Sequence, residues 1–423
     1  MKFCIKTLGC KVNTYESEFI HGLFIRKGYT YSEENADIYV VNTCTVTNMS
    51  DRKSRQIINS LRKNNENSII VVCGCFSQNA FNTGRLEEIN ADIILGNKDK
   101  SKIVEYVEDY IKNKKQKKVF YNIEDVPFED MELDSMNNRT RAFVKIEDGC
   151  ENYCTYCIIP YVRGKVRSKS HELVIEEVTK LVSLGYKEVV LTGIHTGHYI
   201  DGEYKFADLL KDLIKIDGLL RLRISSIEIN ELTDEVLNIF KESNTLVPHL
   251  HIPLQSGSNH ILKEMNRKYD KEYFINRIDY IKSIKEDVSI TTDVITGFPG
   301  ETDEEHIESI KTIKRIGFTK VHVFPYSDRY GTVASKMPNK VDGNIKKSRV
   351  RDLLELSQEL ESTFCKKFYN RTMKVLIEEE KDGYFYGHTA NFIKVKVSGN
   401  FVQNEIYDIL LKGEYIDYYK GSL

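Results

Sequence analysis

Twice along this chain, short β-rich apolar runs alternate with amphipathic helical stretches, and that order leaves few folds open. Strands joined in series through helices form a parallel sheet, and right-handed crossovers place every strand C-terminus along one edge. In the first hundred residues the runs are KFCIKTL, ADIYVVN, SIIVVC and ADIILG, with helices predicted near 13–27, 50–63 and 100–112. From residue 141 the candidate strands are RAFVKIE, KEVVLTG, LRLRISS, VPHLHIP, VSITTDVIT and FTKVHVFPY, again separated by amphipathic helices. Six such units suit an incomplete parallel barrel better than a closed eight-stranded one. The last runs, MKVLIEEE, GYFYGHT, FIKVKVS and EIYDILLKGEY, predict a small antiparallel β-barrel. The expected organisation is therefore α/β: an open parallel α/β sheet over 1–113, a linker over 114–140 rich in charge, a partial (β/α)6 barrel over 141–365, and a small β-barrel over 366–423.

The cysteines say where chemistry sits in such a frame. The N-terminus MKFCIKTLGC has no apolar stretch suited to a signal peptide, and the longest apolar run, IIVVCGCF, is far short of a membrane span. A cytoplasmic protein is expected, with no membrane partner, and its nine cysteines are then ligands, redox groups or core and not disulfides. Cys10, Cys44 and Cys75 each follow a predicted strand, in LGCKVN, VNTCTV and CGCFSQ, so three thiols distant in sequence converge on the sheet edge where open α/β folds bind ligands. One cysteine after a strand is commonly a small buried hydrophobe, but three at equivalent positions point to a ligand set. Cys4 and Cys365 fit the core. Cys73 competes with Cys75; Cys75 is preferred because Gly74 ends the strand and lets the next residue turn outward.

The stretch GCENYCTYC brings Cys150, Cys154 and Cys157 together after the first barrel strand, on the face where barrel enzymes place catalysis. A closed zinc site and a fully thiolate-ligated 4Fe–4S cluster both take four protein ligands. Three adjacent sulfurs suit a metal centre with one open position, the alternative being zinc with a distant fourth ligand. His195, His198, His249 and His251 are read as packed or hydrogen-bonded and not as metal ligands.

CxxxCxxC after the first strand of a partial barrel resembles the radical S-adenosylmethionine (SAM) superfamily. More specifically, TLGCKVNTYESE, NTCTVT, GCFSQ, EDGCENYCTYCIIPYVRGKVRS, LTGIHTG, HIPLQSGS and DVITGFPGET resemble the methylthiotransferases, over essentially the whole chain. The resemblance implies two 4Fe–4S clusters, one on Cys150, Cys154 and Cys157 with its fourth iron bound by SAM, the other on Cys10, Cys44 and Cys75. It implies that Tyr156 lies beside the SAM adenine and that residues 366–423 form an RNA-gripping TRAM domain. It also implies an activity: reductive cleavage of SAM gives a 5′-deoxyadenosyl radical that attacks an unactivated C–H bond, and a methylthio group passes from the second cluster to that carbon. An external electron donor is required. Since both clusters must face one cavity, the N-terminal domain is expected to pack against the barrel mouth.

The remaining assignments are local. Gly193 and Gly197 in LTGIHTG permit close backbone approach to SAM or simply make a tight turn, while Gln255 and Asp293, at later strand ends, can hydrogen-bond SAM. The words around Cys10 and Cys150 most resemble the branch that acts on C2 of N6-threonylcarbamoyladenosine next to the tRNA anticodon; its sister branches act on isopentenyl-adenosine in tRNA and on a ribosomal protein aspartate. A non-catalytic iron–sulfur RNA-binding redox sensor is the alternative from another class. With a net charge of −2, contact with the tRNA anticodon stem-loop must come from local patches. The candidates are Arg163, Lys165, Arg167 and Lys169 beside the cysteine loop, and KKSRVR from Lys346. Tyr384, Phe385, Tyr386 and Phe392 offer aromatic faces for bases, though most are read as barrel core.

Overall fold

The computed structural model describes residues 1–136, 139–413, 415 and 418–422. Parts of the expected linker (137 and 138) and of the last domain (414, 416, 417 and 423, the first of them inside the run EIYDILLKGEY) lie outside the described residues. The first unit is a six-stranded sheet, parallel throughout, of β1 (Lys2–Thr7), β2 (Thr30–Tyr31), β3 (Ile38–Thr43), β4 (Ile69–Gly74), β5 (Ile93–Leu95) and β6 (Lys117–Val119), in the order β2-β1-β3-β4-β5-β6. Every residue of β3 and β4 is buried, as expected of central parallel strands covered on both faces. Alternation divides them between two cores: Ile38, Val40, Ile69 and Val71 pack on one face, Val41, Ile70 and Val72 on the other. Helices α1 (Lys11–Arg26), α2 (Asn48–Asn64), α3 (Cys75–Asn82) and α4 (Ile103–Asn113) supply the covers, α2 starting at Thr47, whose hydroxyl accepts from Ser50 N.

The stretch expected to be a linker is instead structured where it is described. Residues 117–119 are β6, paired with β5, and Met131, Leu133 and Met136 are buried in the barrel's own core. Their apolar side chains are spaced too irregularly, among acidic residues, to carry a period, yet each finds a groove between larger elements.

The barrel consists of β7 (Arg141–Lys145), β8 (Glu188–Thr192), β9 (Arg221–Ile224), β10 (His249–His251), β11 (Ser289–Thr296) and β12 (Lys320–Pro325). All pair in parallel as two three-stranded halves, and the parallel bridges Leu222↔Leu246 and Ser226↔His251 join them into one arc. Leu222 and Ile224 face the helical shell, which turns Arg221 and Arg223 into the lumen. Tyr15 and Phe19 of α1 belong to the same core cluster, so the N-terminal unit is packed onto the barrel by its own helix.

A closed five-stranded barrel, β13 (Thr372–Lys381), β14 (Tyr384–Thr389), β15 (Lys394–Val397), β16 (Ile406–Lys412) and β17 (Tyr419–Ser422), ends the chain. It caps the N-terminal ends of the large barrel's strands: Arg221 donates to His388 O (3.1 Å) and Lys374 O (2.7 Å), and Arg223 donates to Ala390 O (3.1 Å). Glu378 receives Arg141 Nε at 2.5 Å and is paired with His388. Burial alone would raise its carboxyl pKa, but the hydrogen bond and charge of His388 and the charge of Arg141 outweigh that and hold it down to about 2. A carboxylate depressed in the folded state stabilises fully above its unfolded value near 4.5 and loses that contribution as pH falls toward 2, here about 3 kcal/mol. Calorimetry between pH 5 and 2.5 is thus expected to show the C-terminal barrel loosening, and Glu378→Gln is expected to flatten that dependence. An equal slope in the variant would refute the assignment.

Candidate functional site

Backbone geometry brings the first three thiols together. Cys10 caps the start of α1, Cys44 follows β3, and Cys75 is the first residue of α3. Gly74, at φ 104°, makes the turn that separates Cys75 from Cys73; a Cβ there would lie 2.5 Å from Thr43 O. Gly9, at φ 103°, does the same beside Cys10: its missing Cβ leaves room for Cys44, whose Cβ and Sγ would be only 2.7 and 2.9 Å from it. Cys73, Cys4 and Cys365 are fully or almost fully buried among core residues.

The second triad lies across the domain junction. Cys75 packs with Ile158, Ile159 and Val162, and Cys150 and Cys157 pack against that same cluster. The two sets of cysteines therefore share one wall. A pocket of 200 Å³ opens beside it, lined from the N-terminal unit by Val46 and Thr47 and from the barrel by Tyr156, Cys157, Gln255, Asp293 and Phe324, among others. Three of the five residues expected to touch SAM, Tyr156, Gln255 and Asp293, thus meet in one place. Gly193 and Gly197 pack elsewhere: a Cβ on Gly193 would lie 2.8 Å from Glu147 Oε2, and one on Gly197 2.3 Å from Glu231 Oε2.

Sulfur chemistry separates the metal alternatives. A single zinc holds its thiolates at about 2.3 Å, so their sulfurs are within roughly 4 Å of each other, whereas a cubane spreads them wider. Among the described residues, the groups whose ligand atoms all lie within 4.8 Å of one another are His195, His198 and Glu231, and His171, Glu172 and Asp201. Neither cysteine triad is that tight. Burial and then the neighbouring Cys75 push the Cys44 thiol up to about 11, and burial and then Cys154 push the Cys157 thiol up to about 12. Holding either as a thiolate requires a cation in the site. Donors are already aimed at the sulfurs: Arg163 Nε (3.3 Å) and Asn97 Nδ2 (3.4 Å) at Cys75, Arg267 Nη1 (3.2 Å) at Cys154, and His195 Nδ1 at 3.8 Å from Cys150. Such N–H···S contacts are the usual surroundings of cluster thiolates. The donor set fits two iron–sulfur clusters.

A buried ion network locks the two units at this junction. Glu16 of α1 meets Lys100, Lys145 and Arg163, each at 3.0 Å, and Asp148 meets Lys145 at 2.7 Å and Arg163 at 2.9 Å. Arg329 adds a second clasp, to Asp51 (3.0 Å) and Asn48 (2.8 Å). Arg163 and Lys169, expected on an RNA-facing basic rim, are instead interior: Arg163 is fully buried in the network and Lys169 is paired with Glu177 at 2.7 Å. Lys165 is exposed, while Arg167 is half-buried against Arg163 O and Asp148. In KKSRVR, Arg349 is likewise buried, on Glu301 and Asp303. The carboxylates that neutralise these cations come from distant segments, which a local charge count does not register. Of the four aromatics considered for base stacking, only Phe385 packs with the core of the last barrel; Tyr384 and Tyr386 flank Lys396, and Phe392 lies over Arg141 and Arg223 of the large barrel.

Several functional positions escaped the sequence reading. Glu147, three residues before Cys150, is fully buried, and burial pushes its carboxyl well above the usual range; Oε2 accepts from His195 N at 2.6 Å, and Oε1 has no hydrogen-bond partner among the described residues. Lys11 reaches from α1 into the barrel, donating to Ser225 Oγ at 3.2 Å. The residue is exposed, and desolvation by its neighbours, followed by the charges of Arg141 and Arg223, lowers its pKa to about 8. Glu16 carried a signal: a carboxylate one helical turn from Val12, Phe19 and Ile20 sits on the apolar face of its helix.

The Radical SAM superfamily matches residues 144–313, and Uncharacterized protein family UPF0004 matches residues 2–96. A threonylcarbamoyladenosine tRNA methylthiotransferase MtaB of Bacillus subtilis is 43% identical over 93% of this chain and 89% of its own length, and one of Aquifex aeolicus 39% over 94% and 97%. A tRNA-2-methylthio-N(6)-dimethylallyladenosine synthase of Clostridium perfringens is 36% identical over 94% and 92%. Among solved structures, the radical S-adenosylmethionine methyltransferase TsrM of Kitasatospora setae covers 77% of this chain and 74% of its own at a TM-score of 0.55 and 12% identity, a likeness of fold.

Proposed function

The chain belongs to the radical SAM methylthiotransferases, and from that premise we propose that it adds a methylthio group to C2 of N6-threonylcarbamoyladenosine beside the anticodon of tRNA. One observation carries the reading: the pocket beside Cys157 is walled by both units, with Cys75 packed on the same cluster as Cys150 and Cys157. A group transferred from one metal centre to a carbon activated at the other needs such a shared space. The threonylcarbamoyl substrate is supported by three relatives named for it at 38–43% identity, against 36% for the Clostridium perfringens relative named for the dimethylallyl one, although a further relative named for the first is 33% identical. Those names are all of enzymes, which leaves the non-catalytic sensor without support.

In this reading Cys10, Cys44 and Cys75 hold one 4Fe–4S cluster, Cys150, Cys154 and Cys157 hold the other, and Tyr156, Gln255 and Asp293 hold SAM. When bound, these groups supply the radical chemistry and the sulfur that no side chain can supply. The chain's own residues prepare the space. Arg163 and Asn97 orient Cys75, and Arg267 and His195 orient Cys154 and Cys150. Ile158, Ile159, Ile295 and Phe324 line the pocket with apolar surface that excludes water from a reactive centre. The Gly193 and Gly197 backbone keeps Glu147 and Glu231 close. The anticodon stem-loop approaches this mouth, the electron comes from an external donor, and the reaction runs in the cytoplasm; among the described residues no helix is long and apolar enough to cross a membrane.

Mass spectrometry of tRNA nucleosides, with and without the gene, tests the proposal. 2-Methylthio-threonylcarbamoyladenosine is expected to vanish on deletion and return on complementation. Its persistence, with loss of the 2-methylthio-dimethylallyl nucleoside in its place, would move the chain to the other tRNA branch.

A further inference from the structure

The lumen of the large barrel holds more positive charge than it neutralises. Arg223 Nε meets Glu188 at 2.7 Å, Arg221 lies 3.5 Å from the same carboxylate, and Arg141 meets Glu378 at 2.5 Å. The remaining lumen carboxylate, Asp293, faces His251 at 3.4 Å. Lys11 forms no ion pair among the described residues, its ammonium touching only the Ser225 hydroxyl. Two buried nitrogens nearby are also unpartnered: Nη1 of Arg223, whose residue is 2% exposed, and Nδ1 of His249, 8% exposed. Lys11, Arg223 and His249 lie within electrostatic reach of one another, and Asp293 links them to the pocket beside Cys157, which it also lines. Buried donors left unpaired cost about 1–3 kcal/mol each, so an acceptor is called for where these two nitrogens meet beside the exposed Lys11 ammonium.

We propose that Lys11, Arg223 and His249 form a carboxylate subsite that receives the threonine carboxylate of the modified adenosine, making Lys11 the residue that reads this substrate. The inference rests on the threonylcarbamoyl reading above. Geometry supports it on three counts. A cation, a guanidinium N–H and a neutral imidazole able to carry its proton on Nδ1 match the lone pairs of one carboxylate. The group lies deeper in the barrel than the cysteine loop, as it must if the base stands between the clusters and its N6 substituent points inward. Lys11 also follows Cys10 directly, so the side chain that reads the substrate is tied to a proposed ligand of the sulfur-donating cluster. A dimethylallyl substituent, being apolar, would leave the Arg223 and His249 nitrogens unpaired and offer Lys11 no counter-charge.

A carboxylate can also come from the amino-acid end of SAM, and the experiment separates the two sources. Reconstituted full-length enzyme is offered three anticodon stem-loops, carrying N6-threonylcarbamoyladenosine, its neutral carboxamide or dimethylallyladenosine, and methylthiolated product is followed by mass spectrometry with iron content as the folding control. The wild type is expected to favour the acid over the amide in kcat/KM by about tenfold or more. Lys11→Gln is expected to bring that ratio toward one by raising KM for the acid, and Lys11→Arg to keep the preference. A wild-type ratio near one overturns the subsite whether or not any variant folds. So does an unchanged ratio in Lys11→Gln, and so does a raised KM for SAM with the stem-loop ratio intact, which would assign the cation to SAM. If the wild type modifies the dimethylallyl stem-loop and neither of the other two, the substrate reading falls and the subsite with it.

Discussion

Cys157→Ala is expected to remove about half of the bound iron and to reduce SAM cleavage to background, because an iron–sulfur cluster with an open iron has no spare protein ligand. The position concentrates the effect. Cys157 packs against the wall that also holds Cys75 and lines the pocket shared with Val46 and Thr47. The matching substitution on the other side, Cys75→Ala, is expected to lower iron by a similar share while leaving SAM cleavage in place and abolishing methylthiolation. The pair of results is what assigns roles to the two triads. Iron analysis and the amount of 5′-deoxyadenosine formed under dithionite decide it; SAM cleavage at the wild-type rate in Cys157→Ala would remove the basis for placing SAM at the barrel triad.

Glu16→Ala is expected to be the most damaging substitution for stability. The carboxylate is completely buried and serves Lys100, Lys145 and Arg163 together, each at 3.0 Å. Without it, Lys145 and Arg163 share the Asp148 carboxylate and Lys100 keeps only the Asn97 amide oxygen, and removing one member of a buried ionic group costs about 3–5 kcal/mol. For a unit of this size that lowers the first thermal transition by roughly 10 °C. Because Glu16 is on α1 and Lys145 and Arg163 are on the barrel, the loss is expected to appear as undocking of the N-terminal unit, with faster proteolysis around residues 114–130. Acid should act on the same junction. Burial raises the Asp148 and Glu16 pKa values, but Arg163 and Lys145, joined by Lys100 at Glu16 and by Arg167 at Asp148, outweigh it and hold both carboxyls well below the usual carboxylate range. Their contribution is therefore present above pH 4.5 and fades as pH drops below it. An unchanged calorimetric trace for Glu16→Ala would show that the apolar contacts of Tyr15 and Phe19 suffice to hold the units together.

Much of this architecture is legible along the chain because it follows from period and punctuation. Strands β3 and β4 are rich in β-branched residues, and Gly74 at the end of β4 separates a core Cys73 from a Cys75 that packs on the wall shared with Cys150 and Cys157. The spacing of Cys150, Cys154 and Cys157 places them in a single loop. Most of what was misread has one cause in common. Residues 117–119 read as linker and Arg163 as part of a nucleic-acid rim because the strand that pairs with the first and the Glu16 carboxylate that neutralises the second are remote in sequence, while Lys169 is paired with Glu177 from the next helix. Phe392 looked like barrel core and instead stacks across a domain boundary on Arg141 and Arg223.

Local order of residue types, on its own, determined two parallel α/β units, a terminal β-barrel and six cysteines at strand ends, since each depends on side-chain periodicity and on where a glycine permits a turn. Only the tertiary structure decided which charges face solvent, that the two triads share a wall, and that Lys11 enters a neighbouring barrel. Electrostatic pairing and packing act through space, and the partners that settle them are more than a hundred residues apart for Glu16 with Lys145 and for Lys11 with Ser225.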